Sequence, residues 1–303
     1  MTQVLRSAAV VGGALALVSA SVATTGRQEP RQRVERSVVV GVVAGSANAP
    51  VGGLTMADFA VREDGLAREV LRVGPAPPPS HLLLLVDDSQ AAQNAIQFLR
   101  TALKTFVRRM LSGDQAPQIG LMTFGDRPVR RADFSPNSSG TERAIDRLFA
   151  ASGAGAYFLD ALGEASKDLK KRKAERPVIV AFVEEAGTEF SSPPHKIVAA
   201  ALRDADVSLW SITSQTGGQP MGSSEARERA LVLGDVTSWS GGTNTVILTP
   251  QALDGAFNSV AAQLTGRYLV TYGRPDSLVP PDRLEVEVKR RDVKVRATRW
   301  AGQ

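Results

Sequence analysis

The chain has 303 residues, of which 43% are hydrophobic and 22% charged, so it has the composition of an ordinary globular protein with room for an α/β domain and a smaller unit. The formal net charge is +5, and because the charged residues are interspersed rather than clustered, the sequence argues against nucleic-acid binding. The chain has no cysteine, which excludes disulfides, thiolate metal sites and a cysteine nucleophile. With two histidines, a histidine-rich metal site is excluded, and we predict that His81 begins a strand and His195 a helix. The most basic run, Lys167–Lys173, falls at the predicted end of a helix, where cations favour the helix dipole; a patch for an acidic partner is the alternative.

The N-terminus has the pattern of a secretory signal. Residues 1–23 combine a positive charge at Arg6, a short apolar core at Ala8–Val18 and a candidate cleavage site at Ser21–Ala23. Residues 24–36 are polar and are predicted to be a flexible lead-in. We therefore expect an exported protein, in the periplasm, at the cell surface or secreted. The sequence leaves open whether the signal is cleaved or kept as an anchor.

Residues 37–73 are predicted to form a small β unit. Turn-forming residues separate its apolar or alternating stretches, and Asp64-Gly65 is a strong hairpin signal. The predicted strands are Ser37–Val43, Phe59–Glu63 and Glu69–Val73. A stiff, proline-rich linker is predicted to follow at Gly74–Ser80.

Two uninterrupted apolar stretches organise the main domain. Leu82–Val86 is followed by Asp87 and Ser89, and Pro177–Val183 is followed by Glu184. A strand without polar alternation is buried on both faces, as in the middle of a parallel sheet. Open α/β sheets bind ligands at the carboxyl ends of their strands, so we expect these polar residues to gather at one edge.

The main domain is predicted to span residues 81–273, where helical and strand patterns alternate. The predicted helices are Asn94–Leu111, Thr141–Ala150, Phe158–Arg172, Pro194–Asp204, one that ends near Trp239, and Pro250–Leu264. The other predicted strands are Ile119–Phe124, the edge strand Pro128–Phe134, Val207–Thr213, Thr245–Leu248 and Tyr268–Tyr272. About six alternations predict an α/β fold with a doubly wound, mostly parallel, Rossmann-like sheet.

Residues 274–303 have a different pattern. Apolar and charged side chains alternate over Leu284–Val288 and Val293–Ala297, which predicts two amphipathic strands. We expect an antiparallel hairpin that turns near Arg290–Asp292. Because such strands cannot extend a buried parallel sheet, we expect the hairpin to pack on residues 37–73 and form a small β-sandwich from both ends of the chain.

Three stretches, in this order along the chain, carry a resemblance to a known family. They are GLTMADFAVREDG (Gly53–Gly65), SGGTNTVILTPQALDGAFNSVAAQLTGRYLVTY (Ser240–Tyr272) and LEVEVKRRDVKVRA (Leu284–Ala297). Together with the acidic strand ends, this order resembles bacterial von Willebrand factor A (VWA) domain proteins, most closely the exported "VWFA-related" proteins of acidobacterial type. The resemblance covers nearly all of the chain after the signal. It implies the VWA fold and a role in binding a protein partner.

The resemblance also implies a divalent-metal site, which uses Asp-x-Ser-x-Ser, a threonine and a final aspartate as ligands. In this chain Asp87 and Ser89 match the first two ligands, and Glu184 stands in place of the final aspartate. Ala91 and Ala156 stand where the second serine and the threonine are implied. Because Mg²⁺ demands oxygen ligands in near-ideal octahedral geometry, we expect a degenerate site at Asp87, Ser89 and Glu184 without a functional metal; weak Mg²⁺ or Ca²⁺ binding is the alternative.

Other chemistry has little support in the sequence. Gln90–Gln93 takes the place of a glycine-rich phosphate loop, which argues against a small-molecule cofactor of the nucleotide kind. Asp88 and Glu185 are interpreted as exposed loop acids.

We therefore predict a non-enzymatic, exported protein-binding module. Its partner would contact the loops after Val86, around Ser152–Ala156 and after Val183, which we call the top face. An envelope structural or assembly protein that uses the small β unit as its working surface is the alternative. A metal-dependent enzyme is the weaker third interpretation.

Overall fold

The computed structural model describes residues 33–45, 48–113, 115–215, 222–276 and 281–299. The predicted signal at residues 1–23 and most of the predicted lead-in lie outside this part of the chain. Arg33–Arg36, the end of that lead-in, belong to the first strand. Within the described ranges, no helix has both the length and the apolar character that crossing a membrane requires.

Helices and strands alternate through the middle of the chain, and strands dominate its two ends. The described strands are β1 (Arg33–Ala44), β2 (Phe59–Glu63), β3 (Leu66–Pro75), β4 (His81–Val86), β5 (Gln118–Thr123), β6 (Val129–Ser135), β7 (Val178–Glu184), β8 (Ser208–Ser214), β9 (Asn244–Ile247), β10 (Arg267–Pro275), β11 (Leu284–Val288) and β12 (Val293–Ala297). The described helices are α1 (Ile96–Met110), α2 (Ser138–Asp146), α3 (Phe158–Lys171), α4 (His195–Asp204), α5 (Ser224–Leu231), α6 (Thr237–Trp239) and α7 (Leu253–Thr265). His81 and His195 begin β4 and α4, as predicted.

The main sheet has the strand order β6-β5-β4-β7-β8-β9. Its edge strand β6 runs antiparallel to β5, and the other neighbouring strands are parallel. β4 and β7 lie side by side at the centre, with Leu82 opposite Val178 and Val86 opposite Phe182. This arrangement confirms the predicted doubly wound, mostly parallel sheet.

Helices cover both faces of this sheet. Leu82 and Leu84 of β4 belong to the core formed with α1 and α7, whereas Leu83 and Leu85 belong to the core formed with α3 and α4. Consecutive side chains of a strand point to opposite faces. A central strand must therefore be apolar at every position, and each buried leucine contributes roughly 1.5–3 kcal/mol.

The second sheet is antiparallel and takes strands from both ends of the chain, in the order β11-β2-β3-β10-β1-β12. It has a core of its own, which includes Val40, Val42, Phe59 and Val61. Strands from residues 37–73 and from the C-terminal region thus share one antiparallel sheet.

The two C-terminal strands do not form the regular ladder of the predicted hairpin, although the N–H of Leu284 donates to the carbonyl of Arg299 at 3.1 Å and joins their outer ends. β11 pairs with β2 and β12 pairs with β1, so they occupy opposite ends of the strand order. Alternation of apolar and charged residues determines which face of a strand is buried, but it does not select the neighbouring strand. The strands form one six-stranded sheet, where the sequence suggested a sandwich completed by a hairpin.

Three further elements differ from the prediction. β10, which we assigned to the main domain, lies at the centre of the antiparallel sheet between β3 and β1. β3 extends to Pro75, which shortens the predicted linker. The helix predicted to end near Trp239 consists of α5, a π-helical segment at Val232–Val236, and α6.

Candidate functional site

The two acidic strand ends meet at the carboxyl edge of the parallel sheet. The backbone N–H of Glu184 donates to Asp87 Oδ2 at 3.1 Å, and that of Ser89 donates to Asp87 Oδ1 at 2.9 Å. All three residues are buried. Burial raises the pKa of Asp87, and the Ser89 side chain together with the two N–H donors partly opposes this effect. Asp87, Ser89 and Glu184 therefore form one buried polar cluster, as their positions after β4 and β7 predicted.

Small residues surround the Ser89 hydroxyl. Its Oγ is buried and interacts with the Asp87 carboxylate, which opposes the rise in the pKa of that acid. A β-carbon on Gly187 would lie 3.5 Å from this oxygen and 3.5 Å from the Cβ of Ala91. Ala156 lies next to the same loop, because its N–H donates to the carbonyl of Thr188 at 2.8 Å. Ala91 thus lies beside the Ser89 hydroxyl and Ala156 beside the loop that follows Glu184, and each contributes a methyl group and no oxygen.

Asp88 is buried, so its interpretation as an exposed loop acid is wrong. Its Oδ1 accepts the N–H of Gly125 at 2.6 Å, and its Oδ2 accepts Arg131 Nη2 at 3.0 Å. Gly125 packs so tightly that a β-carbon there would lie 2.6 Å from the backbone nitrogen of Ser89. The Asp88 carboxylate therefore fastens the loop after β5 to the end of β4. Glu185 is half-buried, which also differs from the expectation.

The sequence interpretation missed a buried cation at this edge. Arg229, on α5, donates to the carbonyls of Gly187 at 2.8 Å and Glu185 at 2.6 Å. Its Nη1 lies 3.7 Å from Glu189 Oε2. Its charge acts against the burial that raises the pKa of Asp87. The acidic edge therefore contains a positive charge supplied by the protein itself.

Glu189, also missed, fixes the start of α3. Its Oε1 accepts the N–H groups of Phe158 at 3.0 Å and Ser191 at 3.3 Å, and Ser191 Oγ accepts the N–H of Asp160 at 3.0 Å. A carboxylate at a helix N-terminus is favoured by the helix dipole. Burial raises the pKa of Glu189, and contacts with Ser191 and Arg229 partly oppose the shift.

Backbone hydrogen bonds connect the loops of the top face. The N–H of Gln90 donates to the carbonyl of Ala154 at 3.1 Å, and that of Phe190 donates to Ala156 at 2.8 Å. The loops that follow different strands thus hold one another in place. The loops of the top face therefore have a fixed arrangement before any partner binds.

The polar cluster fits a divalent metal ion poorly. Mg²⁺ prefers an octahedral set of oxygens, and Ala91 and Ala156 supply none of them. Both carboxylate oxygens of Asp87 already accept backbone N–H groups. Among the residues that the structure describes, no group of three or more His, Cys, Asp or Glu side chains is arranged to hold a metal ion.

Residues 82–186 match the family model described as the von Willebrand factor type A domain. The match runs from β4 to the loop after β7, and so covers both central strands and their acidic ends. The chain therefore contains a VWA domain, in agreement with the resemblance seen in the sequence. VWA domains are generally non-enzymatic modules that mediate protein–protein interactions, and they can bind a metal ion.

Solved structures of similar fold share little sequence with this chain. The VWA domain of SpRpn10 is 19% identical with a TM-score of 0.46, covering 61% of this chain and 97% of that chain. Proximal thread matrix protein 1 from the mussel byssus, with a zinc-occupied MIDAS motif, is 17% identical with a TM-score of 0.49, covering 67% and 49% respectively. The vWF domain of the type V pili tip protein Mfa5 from Porphyromonas gingivalis is 12% identical with a TM-score of 0.45, covering 61% and 95%. A comparison with curated protein sequences finds no match.

Proposed function

We propose that this chain is a non-enzymatic, exported module that binds a protein partner through its top face, and that the site at Asp87, Ser89 and Glu184 is degenerate and works without a functional metal ion. The signal-like residues 1–23 support export. The VWA domain supports protein binding as the general activity.

Phe190 carries this proposal. Its side chain is 54% exposed, yet its ring packs so closely on Gly155 that no β-carbon would fit there. The ring centroid also lies 6.0 Å from that of Tyr157. An aromatic side chain that is held in place with half of its surface in solvent is typical of the anchor residues that dominate protein interfaces. Phe149, which is also exposed, lies just before the Ser152–Ala156 loop and adds apolar surface.

Arg229 supports binding without a metal ion. Buried carboxylates repel one another unless a cation compensates them, and in many ligand sites that cation is a metal. Here the guanidinium lies 3.7 Å from Glu189 and donates to the carbonyls of the loop that follows Glu184. An arginine cannot leave the site, so the loop keeps one arrangement whether or not divalent ions are present.

The proposal can be tested by capture from an extract of the cells that produce the protein. The bait is the tagged full chain as wild type, as Phe190→Ser and as Leu66→Ser, each with and without EDTA. Leu66, at the start of β3, is 63% exposed and is the matched control. We expect one protein to be retained by wild type and Leu66→Ser with or without EDTA, and to be lost with Phe190→Ser. With the purified pair, Phe190→Ser should weaken binding at least about tenfold.

Two results would contradict the proposal. Loss of the partner in EDTA would show that binding needs a metal ion. Loss with Leu66→Ser but not with Phe190→Ser would favour the alternative, in which the antiparallel sheet is the working surface of an assembly protein.

A further inference from the structure

A cavity of about 270 Å³ lies between the two sheets. Pro177 and Ser208 line it at the amino-terminal ends of β7 and β8, and Arg36 and Leu269 line it from β1 and β10. The top face lies at the carboxyl ends of the same parallel strands. The cavity is therefore separate from the Asp87 cluster, and its size suits a small molecule.

The wall of this cavity carries a large excess of positive charge. It is lined by five arginines, Arg36, Arg176, Arg267, Arg274 and Arg296. Among its described lining residues, Asp206 is the one carboxylate. Arg36 is exposed, and Arg274 is paired with the buried Glu63, its Nε 3.7 Å from Oε2. The cations that the lining does not fully balance are therefore Arg176, Arg267 and Arg296, and buried cations are not expected without a counter-charge.

Arg267 is the clearest case, because it is only 8% exposed. Its Nε donates to the carbonyl of Leu264 at 3.1 Å, and none of the described carboxylates forms an ion pair with it. Burial, and to a smaller extent the positive charge of Arg176, lower the pKa of Arg267 to about 10. Arg267 and Arg176 line the same cavity, and their like charges act on each other there.

Arg176 and Arg296 are also incompletely balanced. Arg176 Nε is buried without a hydrogen-bond partner among the described residues, and its Nη2 reaches only the exposed Glu175, at 4.0 Å. Burial raises the pKa of Asp206, and the charge of Arg176 opposes this shift. Asp206 is a single carboxylate, so it cannot balance all of the arginines that line the cavity. Arg296 donates to the side-chain amide oxygen of Gln263, which carries no formal charge.

We propose that the cavity binds a small molecule that bears an oxyanion, either a phosphate ester or a carboxylate, through Arg267 and Arg176. Guanidinium groups bind both kinds of oxyanion through paired, charge-assisted hydrogen bonds. Leu269 and Val39 provide apolar wall for the body of the ligand. A bound oxyanion would supply the counter-charge that the described residues do not.

The test measures binding by calorimetric titration and stability by thermal unfolding, both on the full chain. The added anions are sodium pyrophosphate and sodium citrate, and sodium chloride at the same ionic strength is the reference. The variants are Arg267→Met, Arg176→Gln and the control Arg109→Gln, an exposed arginine on α1 outside the cavity. We expect saturable binding of at least one anion by wild type and control, weakened about tenfold or more in both cavity variants. Tighter binding of pyrophosphate would assign a phosphate ligand, and tighter binding of citrate a carboxylate.

Arg267→Met serves as a second readout, because removing a buried charge should leave the melting temperature without anion unchanged or higher. If Arg267→Met does not fold, the binding test depends on Arg176→Gln, which changes a half-exposed side chain. The proposal is overturned if wild type binds neither anion saturably, or if Arg176→Gln binds as tightly as wild type.

Discussion

We expect two alanine side chains, Ala91 and Ala156, to limit what the Asp87 cluster can bind. Ala91→Ser combined with Ala156→Thr would add two hydroxyls beside Asp87 and Ser89, and so restore oxygens that an octahedral ion needs. We expect the double variant to bind Mg²⁺ and Mn²⁺ about tenfold or more tighter than wild type in calorimetric titrations. Adding Asp87→Asn to the double variant should remove the gain. Equal binding, or none, in wild type and double variant would mean that these alanines do not occupy ligand positions.

Glu189 gives the stability of the protein a pH dependence. Burial raises its pKa above the ordinary value of 4.5. The folded state then keeps a proton that the unfolded state releases, so this stabilisation is present below the ordinary pKa and is lost as the pH rises through the raised one. Glu189→Gln keeps an oxygen acceptor for Phe158 and removes the titration. From about pH 4 to pH 8, urea unfolding should therefore show wild type losing stability relative to the variant.

The control for this pH dependence is Glu164→Gln, which changes an exposed acid on α3, the helix whose start Glu189 contacts. Its difference from wild type should stay nearly constant over the pH series. A gap between wild type and Glu189→Gln that is constant, or that widens in favour of wild type, would contradict the prediction.

At the scale of single residues, the sequence predicts the acidic cluster but not the cation beside it. Asp87 and Glu184 could be placed because each directly follows a buried strand of known direction. Arg229 lies 42 residues along the chain from the Gly187 carbonyl that it contacts. An arginine in a short helix predicts solvent exposure, and nothing local to α5 marks it as buried. Asp88 was misjudged for the same reason, since its donors come from other segments.

At the scale of elements, burial is easier to predict than pairing. β4 and β7 were recognised because only a strand covered on both faces is apolar throughout. β11 and β12 were predicted with the bounds that the structure has, yet each pairs with a different N-terminal strand. A period of two residues describes one strand, and it contains no information about its neighbour.

The hydroxyl of Tyr272 stabilises the antiparallel sheet through a buried acid. It donates from β10 to Glu63 Oε1 on β2 at 2.8 Å, and Arg68 Nε donates to Glu63 Oε2 at 2.9 Å. Tyr272→Phe leaves a buried carboxylate short of one donor, so the free energy of unfolding should fall by about 1–3 kcal/mol. The measurement is urea unfolding. Tyr157→Phe, whose hydroxyl has no hydrogen bond to the described residues, should change it by less than about 0.5 kcal/mol, and equal losses in the two variants would contradict this role.

At the scale of the whole molecule, the antiparallel sheet combines strands from both ends of the chain. The C-terminal strands β11 and β12 are its two edge strands, and the N-terminal strands β1, β2 and β3 lie between them. A chain that stops at Pro275 would lack β11 and β12, and would uncover core residues such as Val40 and Val61. Fully burying a valine or leucine side chain is worth roughly 1.5–3 kcal/mol, so uncovering several of them is costly. We expect the melting temperature to fall by about 10 °C or more, with new binding of a hydrophobic dye. A chain that stops at Arg299 is the control, and equal melting of the two chains would show that these strands are dispensable.

The pairing of β1 with β10 has a consequence for biosynthesis. Ser37 lies opposite Thr271, with their hydroxyl oxygens 2.9 Å apart, although 234 residues separate them. A ribosome that adds about 5–20 residues per second needs roughly ten seconds or longer to deliver the second strand after the first. During that interval the nascent β1 has no neighbour on its β10 side and exposes valines to aggregation. Newly made copies should therefore depend on a chaperone until translation is almost complete.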